Sequence, residues 1–151
     1  MPGVQAFVCA AAGFLLAVLW FDLMFDVQVR GHGQGDLPEP VLASIAGYYA
    51  RVTTAARPMN RLVATAMLAA LAGLIVRLAR GDGTAWANAV GLALVAAAVV
   101  VAASRTVPSA VRLGARRDPA ATQSALARGI LRQHLFCLAA IATVLVLQLA
   151  W

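Results

Sequence analysis

Four long apolar segments, separated by more polar connections, make up most of the chain. The first runs from Val4 to Phe21 with only Gln5 polar. At about 1.5 Å per residue, a helix over such a segment is long enough to cross a bilayer core about 30 Å thick. The pattern predicts membrane-spanning helices over residues 4–27, 60–79, 85–104 and 131–151. We therefore expect an all-α integral membrane four-helix bundle, in which residues 1–151 form a single transmembrane domain.

The connections carry local signals of their own. Glycines and prolines between residues 31 and 40 indicate a loop. Apolar residues then recur at helical spacing and, together with Tyr48 and Tyr49, predict a short amphipathic helix over residues 41–57. We expect this helix to lie at the cytoplasmic membrane interface, with its tyrosines at headgroup level. The tight turn at residues 80–83 predicts that the second and third spanning helices form an antiparallel hairpin.

Composition agrees with a membrane protein. Hydrophobic residues make up 62% of the chain and charged residues only 12%, whereas soluble domains have about a quarter charged residues. The mean hydropathy is +0.83. The repeated Ala, Gly, Leu and Val favour close packing of helices, because small residues let backbones approach each other within lipid.

The basic residues predict the orientation. All twelve are arginines, which against six acidic residues give a net charge of +6, and ten of them fall in the two connections before the second and the fourth spanning helix or at the first two residues of those helices. By the positive-inside rule, both connections are cytoplasmic and both termini lie outside, as in a multi-pass protein of a bacterial inner membrane. Anionic lipid headgroups are then the expected counterpart of this charge, and no nucleic-acid partner is needed to explain it.

Asp22 and Asp26 are the first candidate site residues. They lie one helical turn apart at the end of the first apolar segment, so they share a helix face. A carboxylate carried into a membrane helix is costly and usually functional, provided that it faces the bundle or a wet cavity. The alternative is that both lie at the interface, hydrated or paired with nearby arginines.

His134 is the second candidate. It lies at the predicted cytoplasmic end of the fourth helix and so can reach the zone of the two aspartates. Histidine carries protons near neutral pH, although a single histidine at a helix entrance is more often an interfacial residue. We take His134, Asp22 and Asp26 as candidate catalytic residues, and as candidate ligand-binding residues Arg61, Arg105, Asn60 and Tyr48.

The chain lacks the common cofactor and metal signatures. Its histidines, cysteines and carboxylates have no short metal-ligand spacing other than the Asp22–Asp26 pair. A phosphate-cradling glycine motif, a nucleophile elbow and a CxxC motif are all absent from the sequence. We therefore expect neither a metal nor a cofactor.

The order of these parts resembles the anthrone-oxygenase-like family of small four-helix membrane proteins. The matching features are the long segment after the first helix, Pro58-Met59-Asn60 at the start of the second, Val107-Pro108 after the third and Arg132-Gln133-His134 opening the fourth. The resemblance implies a pocket for a flat aromatic or quinone-like lipophile. It also implies that His134 is the general base of a cofactor-independent oxidation.

The sequence is compatible with three classes of function. In the first, Asp22, Asp26 and His134 line a polar pocket at the cytoplasmic side, with Arg61 or Arg105 balancing their charge. In the second, the protein is a non-catalytic membrane subunit that packs against itself or another membrane protein. In the third, the aspartates serve a proton-coupled transporter or channel, although the outer half of the helices offers few polar residues to continue a path.

Overall fold

The computed structural model describes residues 2–55 and 57–151, and this part of the chain consists of helices joined by turns and loops, without a strand. The predicted all-α class is confirmed. Two short segments have π-helical geometry, which we call the first π segment (Arg51–Ala55) and the second π segment (Ala102–Thr106). The α-helices are α1 (Pro2–Asp26), α2 (Glu39–Ala50), α3 (Arg57–Arg80), α4 (Ala85–Val101), α5 (Val107–Ala115) and α6 (Ala120–Ala150).

Four helical runs are long and apolar enough to cross a membrane, so the chain is a multi-pass membrane protein. They are Gly3–Val29, Met59–Arg80, Ala85–Ala115 and Ala120–Ala150. The third run joins α4 and α5 through the second π segment. The fourth begins at Ala120, well before the predicted span, because Pro119 directly precedes a stretch that no proline interrupts.

The four long helices surround one apolar core. α1 packs against α3 and α6, and α4 packs against the same two helices. Among the described residues, α1 does not adjoin α4, and α3 does not adjoin α6. The core between them contains Val8, Leu15, Leu74, Val95, Ile141 and Val144. Gly73 permits the close approach of α3 to α1, because a Cβ at this position would clash with Val8 Cγ2.

One end of the bundle, which we call the hairpin end, holds the turn between α3 and α4. Arg77 is buried there, and its Nε donates a hydrogen bond to Asn88 Oδ1 at 3.1 Å. Gln148 Nε2 donates to the same oxygen at 3.2 Å. Buried polar groups in an apolar bundle require such partners, so this network fastens α3, α4 and α6 together.

The opposite end, which we call the site end, has a second apolar core formed by α2, α5 and α6. Leu42, Ile45, Leu113 and Ile130 are fully buried in it. α2 and α5 touch at Gly114, where a Cβ would lie 2.8 Å from the backbone nitrogen of Ala50. The α5 helix is not among the predicted elements, since Pro108 and the arginines at 112, 116 and 117 indicate only a positively charged connection.

The helix between the first two spans differs in detail from the prediction. α2 begins at Glu39, with Pro40 in its first turn, and gives way to the first π segment at Arg51. The preceding loop is tied to α6, because Arg128 Nη2 donates to the carbonyl oxygens of Gly33 (2.7 Å) and Gly35 (2.6 Å). These contacts hold the loop against α6, while α2 packs mainly against α5 and also contacts α1 and α6.

Candidate functional site

Both aspartates of α1 face the bundle at the site end. The Asp26 side chain is fully buried, and that of Asp22 is 16% exposed. Their spacing of four residues puts them on one face of α1, as the sequence predicts. The structure brings three other side chains to this face: His134 from α6, and Tyr48 and Tyr49 from α2.

Asp26 connects α1 to both other helices. Its Oδ1 accepts a hydrogen bond from the Tyr49 hydroxyl at 2.6 Å, and its Oδ2 lies 2.6 Å from His134 Nδ1. A carboxylate only accepts hydrogen bonds, so Nδ1 is the donor in this pair. The neutral imidazole then carries its lone pair on Nε2.

Asp22, one helical turn before Asp26, also approaches side chains of α2 and α6. Its Oδ1 accepts a hydrogen bond from the Tyr48 hydroxyl at 2.6 Å. Its Oδ2 lies 3.8 Å from His134 Nε2, which is too far for a direct hydrogen bond. The Tyr48 ring stacks on Phe25 with 4.1 Å between ring centroids, which fixes the position of the phenol. Nε2 therefore remains available to another molecule.

The two tyrosines act as hydrogen-bond donors. Burial, reinforced by the hydrogen bond to Asp22, raises the pKa of Tyr48 far above its ordinary value. Burial and the negative charge of Asp26 do the same to the pKa of Tyr49. Both phenols therefore stay protonated throughout the physiological range.

A tyrosinate absorbance titration tests this arrangement directly, because Tyr48 and Tyr49 are the two tyrosines of the chain. We expect the folded protein to show no ionisation near pH 10, where free tyrosine titrates. Asp22→Asn should lower the pKa of Tyr48, because it removes a negative charge beside the phenol. Asp36→Asn, in the exposed loop, is the matched control. An ionisation near pH 10 in the wild type would contradict the hydrogen bonds described.

A cavity of about 520 Å³ opens beside these residues. Most of its walls are apolar side chains of α1, α3, α5 and α6. The polar side chains that line it are Asp22, Tyr48, Tyr49, Thr53, Asn60, Thr106 and His134. Asp26 lies behind His134 and does not line the cavity. This combination of apolar walls and a few convergent polar groups is typical of small-molecule sites.

Both π segments form part of the cavity wall. The first contributes Thr53, and the second contributes Ala102, Ala103 and Thr106. π-helical turns often occur at functional sites, because the wider turn redirects side chains at a cost in helix stability. Thr53 Oγ1 donates to the Tyr49 carbonyl at 2.6 Å and so satisfies one backbone oxygen of this turn.

The cavity reaches the side of the bundle between α3 and α5. Within the described residues these two helices line the cavity without contacting each other. The rim consists of exposed apolar side chains: Met59 and Leu68 on α3, and Val107 and Val111 on α5. Because both helices belong to membrane-spanning runs, the opening faces the side from which a molecule dissolved in the lipid would enter.

The other predicted ligand-binding residues are distributed differently. Tyr48 and Asn60 line the cavity, and Asn60 Nδ2 donates to the carbonyl of Thr53 at 3.3 Å. Arg61 is exposed on α3, and Arg105 lines a separate groove between α4 and α6. Among arginines whose side chains the structure describes, none lines the cavity. The carboxylates are thus accompanied by phenols and an imidazole.

Sequence reasoning missed Tyr49, Thr53 and Thr106 as site residues. Tyr48 and Tyr49 adjoin in sequence, and the pair is typical of an interfacial anchor, so the role of Tyr49 in holding Asp26 has no signal of its own. Thr53 and Thr106 reach the cavity because of the π segments. No feature of the sequence marks those segments as π-helical.

The arrangement is suited to holding and transferring a proton. Asp26 fixes the orientation of the imidazole through the contact between its Oδ2 and His134 Nδ1, while Nε2 faces the cavity wall shared with Asp22. In the described part of the chain, no three His, Cys, Asp or Glu side chains gather so that they could hold a metal ion. Comparison with family models, with curated proteins and with solved structures finds no match to this chain, so its function is inferred from this geometry.

Proposed function

We propose that this membrane protein binds a flat lipophilic aromatic molecule of the anthrone or quinol class in the cavity at the site end. His134 Nε2 then removes an acidic proton from the bound molecule. The observation that supports this most strongly is the buried pair of His134 Nδ1 and Asp26 Oδ2, 2.6 Å apart, at the wall of an apolar cavity.

The shape and position of the cavity support a lipophilic ligand. Its volume of about 520 Å³ suits a molecule of several fused rings. The walls are mainly apolar, and the apolar rim between α3 and α5 lets a molecule dissolved in the bilayer enter sideways. The few polar groups lie at one side, where they orient a carbonyl or hydroxyl of the ligand.

The chain supplies each part that proton removal requires. Asp26 holds the imidazole in the tautomer that leaves Nε2 unprotonated, and it pairs with the imidazolium that forms, as the aspartate does in hydrolase triads. Tyr48 fixes Asp22 beside Nε2, at a distance of 3.8 Å that leaves room for a ligand atom to contact both groups. The apolar walls keep bulk water away from the base.

An oxidation follows from this step when the ligand is an anthrone. Transfer of a proton from the ring methylene to His134 leaves a carbanion, which adds molecular oxygen and gives a hydroperoxide after protonation. Loss of water from the hydroperoxide, with the second methylene hydrogen, leaves a quinone carbonyl. One oxygen molecule is reduced to one carbonyl oxygen and one water, and the protein need supply only the base.

Filling the cavity tests the binding step. We expect Ala103→Phe to weaken binding of a hydroxylated anthrone by about tenfold or more, because Ala103 lines the cavity. Ala139→Phe is the matched control, since Ala139 is exposed on α6 outside the cavity. Titration calorimetry of the purified protein in mild detergent, without oxygen, measures the affinity. Equal affinity in Ala103→Phe and the wild type would rule out this cavity as the binding site.

A further inference from the structure

A second groove lies between α4 and α6, apart from the cavity. Two arginines, Arg105 from the second π segment and Arg132 from α6, line its end nearest the site end of the bundle. Val100, Val101 and Phe136 line the part that lies deeper in the bundle. The groove is thus cationic at one end and apolar at the other.

The second π segment explains why this groove and the cavity adjoin. Within five residues it directs Ala102, Ala103 and Thr106 to the cavity, and Ser104 and Arg105 to the groove. On α6, Arg132 and Phe136 are four residues apart and therefore lie on one helix face. The charged end and the apolar end of the groove are consequently aligned along the membrane-spanning direction.

Neither arginine is neutralised by the chain. Among the described side chains, no ion pair or hydrogen bond joins Arg105 or Arg132 to a carboxylate, although Arg112 and Arg116 at the same end pair with Asp118 and Glu39. Both side chains are exposed at the groove. Two unpaired guanidinium groups in one groove are a site for a phosphate group, which arginine binds through paired hydrogen bonds.

The floor of the groove is shaped for an occupant. A Cβ placed on Gly129 would meet only Gln133 Nε2, at 3.8 Å, so the glycine leaves open space next to Arg132. Gln133 borders this space, and its side-chain oxygen is buried without a hydrogen-bond partner among the described residues. An unpaired buried acceptor is costly, and a hydroxyl donor at the groove would remove this cost.

We infer that this groove binds one anionic phospholipid, with its phosphate between Arg105 and Arg132 and an acyl chain along Val100, Val101 and Phe136. The favoured headgroup carries a hydroxyl, as in phosphatidylglycerol, because Gln133 lacks a donor. This site is separate from the cavity and does not depend on what the cavity binds.

Native mass spectrometry of delipidated protein in mild detergent tests the proposal by titration with phosphatidylglycerol or with phosphatidylcholine of the same acyl chains. We expect the first bound lipid molecule to have a lower Kd when the lipid is phosphatidylglycerol than when it is phosphatidylcholine. Arg105→Gln and Arg132→Gln should each weaken its binding about fivefold, and the double variant more. Arg117→Gln, an exposed arginine outside the groove, is the matched control and should leave binding unchanged.

A steric variant distinguishes lipid binding in the groove from general electrostatic attraction to the arginines. Gly129→Leu fits the helix and fills the groove without altering charge, so it should also weaken phosphatidylglycerol binding. Equal binding of the two lipids, full retention in the double arginine variant, or an equal loss in Arg117→Gln would overturn the proposal. Displacement of the lipid by inorganic phosphate at similar affinity would assign the arginines to free phosphate and overturn the lipid assignment.

Discussion

His134→Ala is expected to slow the oxidation of a hydroxylated anthrone by about 10²–10⁴-fold, the usual contribution of a positioned general base. The imidazole is the group whose free nitrogen reaches the cavity, and Asp26 holds it in the required tautomer through a 2.6 Å hydrogen bond. Oxygen uptake by the purified protein in proteoliposomes, corrected for spontaneous oxidation, measures this rate.

The chain provides its own control, because it has one other histidine. His32→Ala lies in the loop between α1 and α2 and should leave the rate unchanged. Titration calorimetry of His134→Ala without oxygen then separates binding from chemistry, since the apolar walls remain in place. A variant that still binds the anthrone and oxidises it at the wild-type rate would show that His134 is not the base. A wild-type protein that did not oxidise the anthrone above background would rule out the proposed oxidation.

Asp26→Ala is expected to destabilise the bundle by about 2–6 kcal/mol, because it leaves two buried donors without an acceptor and each such donor costs about 1–3 kcal/mol. The substitution leaves the Tyr49 hydroxyl and His134 Nδ1 without their acceptor in an apolar environment. It also removes the side-chain hydrogen bonds by which Asp26 joins α1 to α2 and α6. The free energy of unfolding in mixed detergent micelles provides the measurement.

A second substitution makes this prediction specific to the hydrogen-bond network. In a Tyr49→Phe background, Asp26→Ala should lower the free energy of unfolding by less, because one of the two donors that lose their acceptor is already absent. A double-mutant cycle measures the difference. Asp36→Ala, in the exposed loop, should change stability by no more than about 0.5 kcal/mol. Equal costs for Asp26→Ala and Asp36→Ala would contradict a buried Asp26.

Much of the fold follows from local patterns along the chain. Uninterrupted apolar runs predict the four long helices, because their length and composition suffice to cross a membrane. The periodic pattern over residues 41–57 also predicts α2, but it does not indicate the π-helical geometry of the first π segment. α5 was missed, because the basic cluster from Arg112 to Arg117 was interpreted only as a determinant of orientation, whereas Val107–Ala115 forms a helix that buries Ala110 and Leu113.

By itself the sequence determined the all-α class, the membrane-spanning runs and the identity of Asp22, Asp26 and His134 as candidates, since each depends on composition or short spacing. Only the tertiary structure decided which groups meet. Asp26 and His134 are 108 residues apart, and α1 is apolar on all sides, so periodicity carries no information about the direction of its carboxylates. The second π segment directs Arg105 into the groove and Thr106 into the cavity, and no sequence feature marks it as π-helical. Such placement results from contacts among distant elements, which no local pattern records.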